Sequence, residues 1–185
     1  MTGSVAAVRG LESAGPDAVR TLLEICERNG WNADGLAAAI ALESGWKTTA
    51  LNSAGNVGLL QFSPMTLAAW GLSPDTVRAW SAPRQLELVE RYYRAWERRG
   101  YRIGPRDYTA FALGVGNVKP SRELLPDDAI MYAPGSPGAV ANPALTDDSG
   151  AITVATARAA LNRVLAAAGG RRVAPGPKAP PAPAV

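Results

Sequence analysis

The amino-acid sequence predicts a mainly α-helical protein built around one folded domain. Its 185 residues are enough for one domain with a sizeable core. Apolar residues recur mostly at the three- and four-residue spacings of amphipathic helices, whereas alternating strand patterns are scarce. Only the stretch 48–60, which Gly55 and Gly58 punctuate, has room for a small β-hairpin. We therefore expect a helical domain over residues 1–170 with that one hairpin.

Two longer helices are predicted in the first part of the chain. Pro16 opens the first, which ends near Gly30. Asn32 can cap the second, which runs to about Leu42. The single cysteine, Cys26, has the spacing of the apolar stripe of the first helix, so we expect a buried, inert thiol and no internal disulfide.

Further helices are predicted in the middle of the chain. The pairs Ser63-Pro64 and Ser73-Pro74 each place an N-cap residue before a proline at the first helical position, which predicts two short helices. A longer amphipathic helix runs from about Pro83 to Arg99. Another begins at Gly104-Pro105.

The last third of the chain is less regular. The segment 119–148 is rich in Pro, Gly and Asp, which predicts a loop across the surface. A last helix is expected from about Thr153 to Ala168. The Pro- and Ala-rich segment 171–185 has little apolar surface to bury, so we expect a disordered tail there.

The composition excludes several classes of active site. The sequence contains no histidine, which excludes Ser-His and Cys-His nucleophile systems and the commonest zinc sites. We expect no cofactor and no metal. The net charge of +3 comes from scattered basic residues, so no nucleic-acid partner is expected. No apolar stretch is long enough for a membrane span.

Glu43 is the leading candidate for a catalytic group. It follows Ile40 and Leu36 at helical spacing, so it lies on the apolar face of the second predicted helix, in its last turn. Burial and the helix dipole should both raise its pKa. A carboxylic acid that stays protonated near neutral pH can protonate a glycosidic oxygen. The alternative is an ordinary glutamate whose stem packs inward while its carboxylate reaches water.

The residues after Glu43 favour a binding groove for sugars. Glycines in this stretch allow close approach of the backbone. The neutral amides of Asn56 and Gln61 suit sugar hydroxyls and acetamido groups, Ser44 adds a hydroxyl, and Trp46 an aromatic face. No other Asp or Glu occurs until Asp75.

The string "ESGW" followed by "NSAGNVGLLQFSP" resembles the first two motifs of the soluble lytic transglycosylases, a lysozyme-like family related to goose-type lysozyme. The resemblance extends over about residues 31–118 and implies a lysozyme-like fold. It also implies that Glu43 is the catalytic acid and base, that Ser44 orients the substrate, and that Gln61 lies in the groove.

The third motif of that family is altered in this chain. The family pattern Ala-Tyr-Asn-x-Gly falls on "AFALG", where Phe111 replaces the tyrosine and Ala112 the asparagine. A hydroxyl and an amide are therefore missing near the expected scissile bond. Tyr108, Asn117 and Tyr132 are the candidates to replace them.

The resemblance implies that the substrate is the glycan strand of peptidoglycan, cleaved with one glutamate and with a 1,6-anhydro sugar as product. Two alternatives stay open. A hydrolytic lysozyme needs a second carboxylate, for which Asp107, Asp127 and Asp128 are candidates. A structural protein that contacts peptidoglycan without cleaving it fits the altered third motif.

The N-terminus predicts no secretory signal, because it is weakly apolar and has no basic start. We therefore expect synthesis in the cytoplasm and delivery to the cell wall by other means. A phage particle, an endolysin pathway or a bacterial secretion machine would provide such delivery.

Overall fold

Helices predominate in the structure, as the sequence predicts. The computed structural model describes residues 3–101, 103, 111 and 126–176. Within these residues the strands form two separate two-stranded antiparallel sheets. The helices are α1 (Leu11–Ala14), α2 (Pro16–Asn29), α3 (Ala33–Glu43), α4 (Pro64–Ala68), α5 (Pro74–Arg78), α6 (Ala82–Glu97), α7 (Pro137–Ala141), the 3₁₀ helix Pro143–Leu145 and α8 (Val154–Ala167). The strands are β1 (Val5–Ala6), β2 (Ile130–Tyr132), β3 (Ile152–Thr153) and β4 (Arg172–Val173).

Three of the predicted helix starts, those of α3, α4 and α5, are confirmed by their capping hydrogen bonds. The side chain of Asn32 accepts a hydrogen bond from the backbone N–H of Gly35 at 2.7 Å at the start of α3. Ser63 and Ser73 cap α4 and α5 in the same way, each at 3.2 Å. Each cap satisfies a backbone donor that the first turn of a helix leaves without a partner.

Helix α3 is the central element of the core. All seven residues from Gly35 to Ala41 are buried, which is expected for a helix that is apolar on every side. Helices α2 and α8 both pack against it. An aromatic cluster lies beside these helices, in which Trp31, Tyr93 and Phe111 meet edge to face with ring centroids 5.0–5.9 Å apart.

The sheets do not lie where the sequence predicted a hairpin. Residues 48–60 contain no regular strand, and only isolated bridges join Val57 to Leu51 and to Phe62. Strand β2, helix α7 and the 3₁₀ helix instead lie within the segment 119–148, which we expected to be a loop. Strands of two or three residues are too short to show an alternating pattern, so the sequence did not reveal them.

The pairing of β1 with β4 joins the two ends of the described chain. Val5 pairs with Val173 and Ala6 with Arg172. The guanidinium of Arg172 lies 2.7 Å from the carboxylate of Asp34, whose other oxygen accepts a hydrogen bond from the N–H of Ala6 at 2.8 Å. Residues 171–176 are therefore part of the folded domain, contrary to the disordered tail expected from Arg171.

The helix predicted at Gly104-Pro105 lies outside the described residues. In the part of the chain that the structure does describe, no helix combines the length and the apolar character needed to cross a membrane.

Candidate active site

Glu43 is the last residue of α3, where the chain turns sharply. The helix ends because Gly45 and Trp46 both take left-handed backbone conformations, with φ values of 59° and 64°. The carboxyl group of Glu43 lines a cavity of about 590 Å³. A buried, well-packed helix thus holds a carboxyl group at the wall of a cleft.

Burial raises the pKa of the Glu43 carboxyl from 4.5 to about 7. The cause is desolvation, which disfavours the charged form. No described residue forms an ion pair or a hydrogen bond with this carboxyl to offset the effect. The raised pKa agrees with the expectation from the position of Glu43 on the apolar face of its helix. Near neutral pH the group is present in both protonation states, so it can donate a proton and accept one.

The cavity around Glu43 combines polar groups with aromatic rings, as sugar-binding clefts do. The loop between α3 and α4 forms one wall, α6 forms another, and the segment around α7 closes a third side. The polar and aromatic residues that line it are Asn52, Ser53, Asn56, Gln61, Phe62, Ser63, Thr66, Tyr92, Tyr93, Phe111, Tyr132 and Asn142. Two of the predicted binding residues, Asn56 and Gln61, are therefore in the same cavity as Glu43.

Gln61 is held in an unusual conformation. Its φ of 50° lies in the left-handed region, which non-glycine residues seldom adopt and which costs on the order of 1 kcal/mol. Its backbone N–H and its side-chain Nε2 both donate to the carbonyl oxygen of Gly58, at 3.2 and 3.0 Å. Paired backbone hydrogen bonds between Val57 and Phe62, at 2.8 and 3.0 Å, close the turn. These contacts fix the direction in which Gln61 enters the cavity.

Gln85 on α6 positions the loop between α3 and α4 by hydrogen bonds from inside the core. Its side chain is fully buried, and its Oε1 accepts a hydrogen bond from the N–H of Leu59 at 2.9 Å. Its Nε2 donates to the carbonyl oxygens of Val77 at 2.8 Å and Thr48 at 3.0 Å. A Cβ on Gly58 would lie 2.5 Å from Gln85 Oε1, so only glycine fits there. The sequence analysis missed Gln85. The sequence signal that could have identified Gln85 is a polar residue at a core position of an amphipathic helix.

The hydroxyl of Ser44 is hydrogen-bonded to backbone carbonyl groups of the protein itself. Its Oγ lies 2.9 Å from the carbonyl oxygen of Leu59 and 3.2 Å from that of Ile40, and is hydrogen-bonded to both. The hydroxyl therefore ties the end of α3 to the loop that carries Gln61. Ser44 lines a different cavity from Glu43.

Trp46 does not line the cavity of Glu43, contrary to the expectation from its sequence position. Its side chain is only 4% exposed, and its Nε1 donates a hydrogen bond to the carbonyl oxygen of Ala37 at 3.1 Å. The left-handed backbone at Trp46 is the physical reason, because it turns the ring back against α3. The indole therefore packs in the core.

The remaining predicted site residues divide into two groups. Tyr108 and Asn117 lie outside the described residues, as does Asp107. Of the candidates to replace the missing polar groups of the third motif, Tyr132 on β2 lines the cavity of Glu43. Phe111 also lines it, and its carbonyl oxygen accepts a hydrogen bond from the hydroxyl of Tyr93. Asp127 forms an ion pair with Arg158, and neither Asp127 nor Asp128 lines the cavity.

Asn142 and Tyr92 also line the cavity, and the sequence analysis did not single them out. Asn142 ends α7, and its Nδ2 donates to the carbonyl oxygen of Gly138 at 2.9 Å. No local sequence signal marks this residue, because only the tertiary fold brings α7 close to Glu43. Tyr92 precedes Tyr93 on α6, and its ring meets that of Phe62 edge to face at 5.8 Å.

A mainly helical fold with a glutamic acid of raised pKa in a polar and aromatic cleft is the arrangement of lysozyme-like proteins. Comparison with known families agrees with this class. Residues 22–83 match the model of the transglycosylase SLT domain, which confirms the resemblance to the lytic transglycosylase and lysozyme-like superfamily. The match covers less than half of the chain and includes Glu43 and Gln61, but not Tyr92, Tyr132 or Asn142. No match was found among curated proteins or among solved structures.

Proposed function

We propose that this protein is a lytic transglycosylase that cleaves the β-1,4 bond between N-acetylmuramic acid and N-acetylglucosamine in peptidoglycan, with Glu43 as the acid and the base. The match to the transglycosylase SLT domain supports the reaction class at the family level. The observation that carries the assignment is the Glu43 carboxyl, which has a pKa of about 7 and lines a cavity of about 590 Å³.

In the first step the protonated Glu43 donates its proton to the glycosidic oxygen as the bond to C1 of the muramoyl residue breaks. The leaving N-acetylglucosamine end gains that proton as a hydroxyl. In the second step the Glu43 carboxylate accepts the proton of the C6 hydroxyl of the muramoyl residue while that oxygen bonds to C1. Glu43 is protonated again, and a 1,6-anhydro ring is formed without water. A pKa near 7 suits both steps because neither protonation state is strongly disfavoured.

The other cavity residues support this substrate class. The amides of Asn56, Gln61 and Asn142 can donate to and accept from sugar hydroxyls and acetamido groups. The phenol of Tyr132 and the ring of Tyr92 offer a hydroxyl and an apolar face. We therefore assign binding of the sugars to these five residues.

The use of one carboxyl group is supported by the lining of the cavity. Among the described residues that form it, Glu43 is the one acidic side chain. A hydrolytic lysozyme of the usual kind places a second carboxylate across the bond, either as nucleophile or as the base that activates water. Of the described candidates, Asp127 is engaged with Arg158.

The test is mass spectrometry of the fragments released from purified cell wall by the wild-type protein and by Glu43→Gln. Anhydro ends, which are one water lighter than reducing ends, are expected from the wild type and none from the variant. Reducing ends would instead establish a hydrolytic lysozyme. Absence of released fragments from the folded wild-type protein would favour a structural protein that contacts peptidoglycan.

We further propose that the protein acts on the cell wall after delivery by a phage particle, by an endolysin pathway or by a bacterial secretion machine. Detection of the protein in purified virions, or in a secretion-dependent extracellular fraction, would identify the route.

A further inference from the structure

A second cavity is lined by Ser44, the residue that follows Glu43 in the chain. It has a volume of about 720 Å³ and shares no lining residue with the cavity of Glu43. Its walls come from the segment around α1 and from the turn that follows α3. Among the residues that line it are Arg9, Ser13, Gly45, Lys47, Thr48 and Thr49. The proposed cleavage reaction does not involve this cavity.

The charges in this cavity are of one sign. Arg9 and Lys47 supply two cations, and the described lining residues include no Asp or Glu. Neither cation forms an ion pair with any residue that the structure describes. The hydroxyl groups of Ser13, Thr48 and Thr49 add hydrogen-bond donors. Two cations beside hydroxyl donors favour an oxyanion as the ligand.

The backbone places Arg9 against the turn that follows Glu43. Gly10 has a φ of 87°, and a Cβ on it would lie 2.0 Å from the carbonyl oxygen of Gly45, so the two backbones touch. The guanidinium of Arg9 also lies against Gly45, because a Cβ on Gly45 would be 3.5 Å from Arg9 Nη2, and the φ of 59° at Gly45 disfavours any other residue there. Gly10 and Gly45 thus allow Arg9 to lie against the turn that follows Glu43. This is a built feature of the fold, because neither position accepts a side chain without strain.

We propose that the cavity of Arg9 and Lys47 is an anion site that holds a carboxylate of the peptide stem of peptidoglycan. The choice of this source rests on the proposed function, because the peptide stems branch from the muramoyl sugars and carry free carboxylates. The shared chemistry is an oxyanion, which phosphate groups of other wall polymers also carry. Binding of the stem here would add an attachment point at the turn that directly follows Glu43 in the chain, which a neutral glycan lacks.

The first experiment measures binding of a soluble probe by calorimetry at low salt, where interactions of exposed charges are least screened. The probe is the stem tripeptide alanyl-γ-glutamyl-diaminopimelate, added to the full chain. We expect the wild type to bind it, and the double variant Arg9→Gln/Lys47→Gln to bind it roughly tenfold more weakly. The matched control is Arg98→Gln, an exposed cation outside this cavity, which should bind as the wild type does.

Further probes identify the group that is recognised. The tripeptide with its carboxylates amidated should bind no better to the wild type than to the double variant. Polyglycerol phosphate is the probe for a phosphate source, and its binding in place of the tripeptide would overturn the assignment to the stem. Equal binding of the tripeptide by the wild type and the double variant, or no binding by either, would overturn the site itself. Thermal melts establish that both variants are folded.

The outcome is separable from that of the proposed function. Chitotetraose, a neutral oligomer of N-acetylglucosamine, is the probe for the cavity of Glu43, and its affinity should not change in the double variant. If the protein binds the tripeptide but does not cleave the cell wall, the anion site is supported and the catalytic proposal is contradicted. Cleavage of the cell wall with no tripeptide binding would do the reverse.

Discussion

The side-chain oxygen of Gln85 lies 2.9 Å from the backbone nitrogen of Leu59 and accepts its hydrogen bond inside the core. Leu59 is joined on its other side to Ser44 by the hydrogen bond between its carbonyl oxygen and Ser44 Oγ. Helix α6, the loop of Gln61 and the end of α3 are therefore linked through one residue. The geometry between Glu43 and Gln61 depends on this link.

Replacement of Gln85 by leucine should damage both stability and activity. The change leaves the N–H of Leu59 and the carbonyl oxygens of Val77 and Thr48 without their partner in the core. We expect the free energy of unfolding to fall by on the order of 3 kcal/mol. Urea unfolding and the rate of wall clearing measure the two effects. The control is Glu87→Leu on the exposed face of the same helix, for which we expect changes within about 0.5 kcal/mol.

A purely structural role for Gln85 predicts a different result. In that case the folded fraction of Gln85→Leu would cleave soluble peptidoglycan glycan strands with the kcat and KM of the wild type. We expect KM to rise, because Gln61 loses its fixed position. The variant Gln85→Glu, which keeps an acceptor for the N–H of Leu59, should recover part of the lost affinity.

Glu43→Gln should abolish turnover while the fold is retained. The amide is nearly the same size but cannot supply an acidic proton, and general acid catalysis contributes a factor of about 10²–10⁴ in rate. Since the same group acts as the base, a loss near the upper limit is expected. Clearing of isolated cell wall measures activity, and a thermal melt of each protein measures the fold. A folded Glu43→Gln protein that still clears wall would rule out Glu43 as the catalyst.

The stability difference between these two proteins should depend on pH. Because burial raises the pKa of Glu43 from 4.5 to about 7, the folded state favours the protonated carboxyl. The contribution of the protonated Glu43 carboxyl to folding stability is fully present below pH 4.5 and is lost as the pH rises through 7. The penalty above that pH is at most about 3 kcal/mol. Glu43→Gln lacks this titration, so its stability relative to wild type should increase between pH 4.5 and 7. Urea unfolding across this range provides the check, and parallel curves would contradict the raised pKa.

The activity should fall as the pH rises through about 7. The first step needs a protonated Glu43, and the value of kcat/KM reports groups in the free enzyme. The slope of that fall should correspond to one proton. A profile that is flat from pH 6 to 8 would show that another group supplies the proton.

Tyr132→Phe should lower activity without unfolding the protein. The change removes one hydroxyl from the cavity of Glu43, and a hydrogen bond to substrate of ordinary strength corresponds to a loss of about three- to tenfold in kcat/KM. The matched control is Tyr101→Phe, whose ring packs against Trp96 outside this cavity. Equal rates for the two variants would remove Tyr132 from the binding site.

Two truncations should differ sharply in stability. A chain that ends after Gly176 keeps β4 and should melt as the full chain does. A chain that ends before Arg171 loses the pairing of Val173 with Val5 and the contact of Arg172 with Asp34. We expect its free energy of unfolding to be lower by on the order of 1–3 kcal/mol. Identical melts of the two truncated chains would show that β4 contributes nothing.

The sequence predicted the local features of the fold and missed those that depend on distant contacts. The caps at Asn32, Ser63 and Ser73 act on residues three positions ahead, so their signals are complete in the sequence. The position of Glu43 on the apolar face of one helix is likewise readable from the local sequence, and burial of that face in the fold raises its pKa. The pairing of Val5 with Val173 spans nearly the whole described chain, and no local pattern announces it.

The candidate site was predicted only in part for the same reason. Glu43, Asn56 and Gln61 lie within one short segment, and they share a cavity. Trp46 belongs to that segment too, but its left-handed backbone directs the ring away from the cavity. Asn142 reaches the cavity through the tertiary fold, about a hundred residues after Glu43 in the sequence.

Helix α3 is buried all round, yet the helix that covers one of its sides, α8, ends at Ala167. On the ribosome, α3 therefore emerges more than a hundred residues before its cover is made. An alanine-rich apolar helix without its partner exposes surface on which nascent chains associate wrongly. Assembly of this domain must wait for the last helix, and chaperones that shield apolar segments are expected to hold the chain until α8 leaves the ribosome.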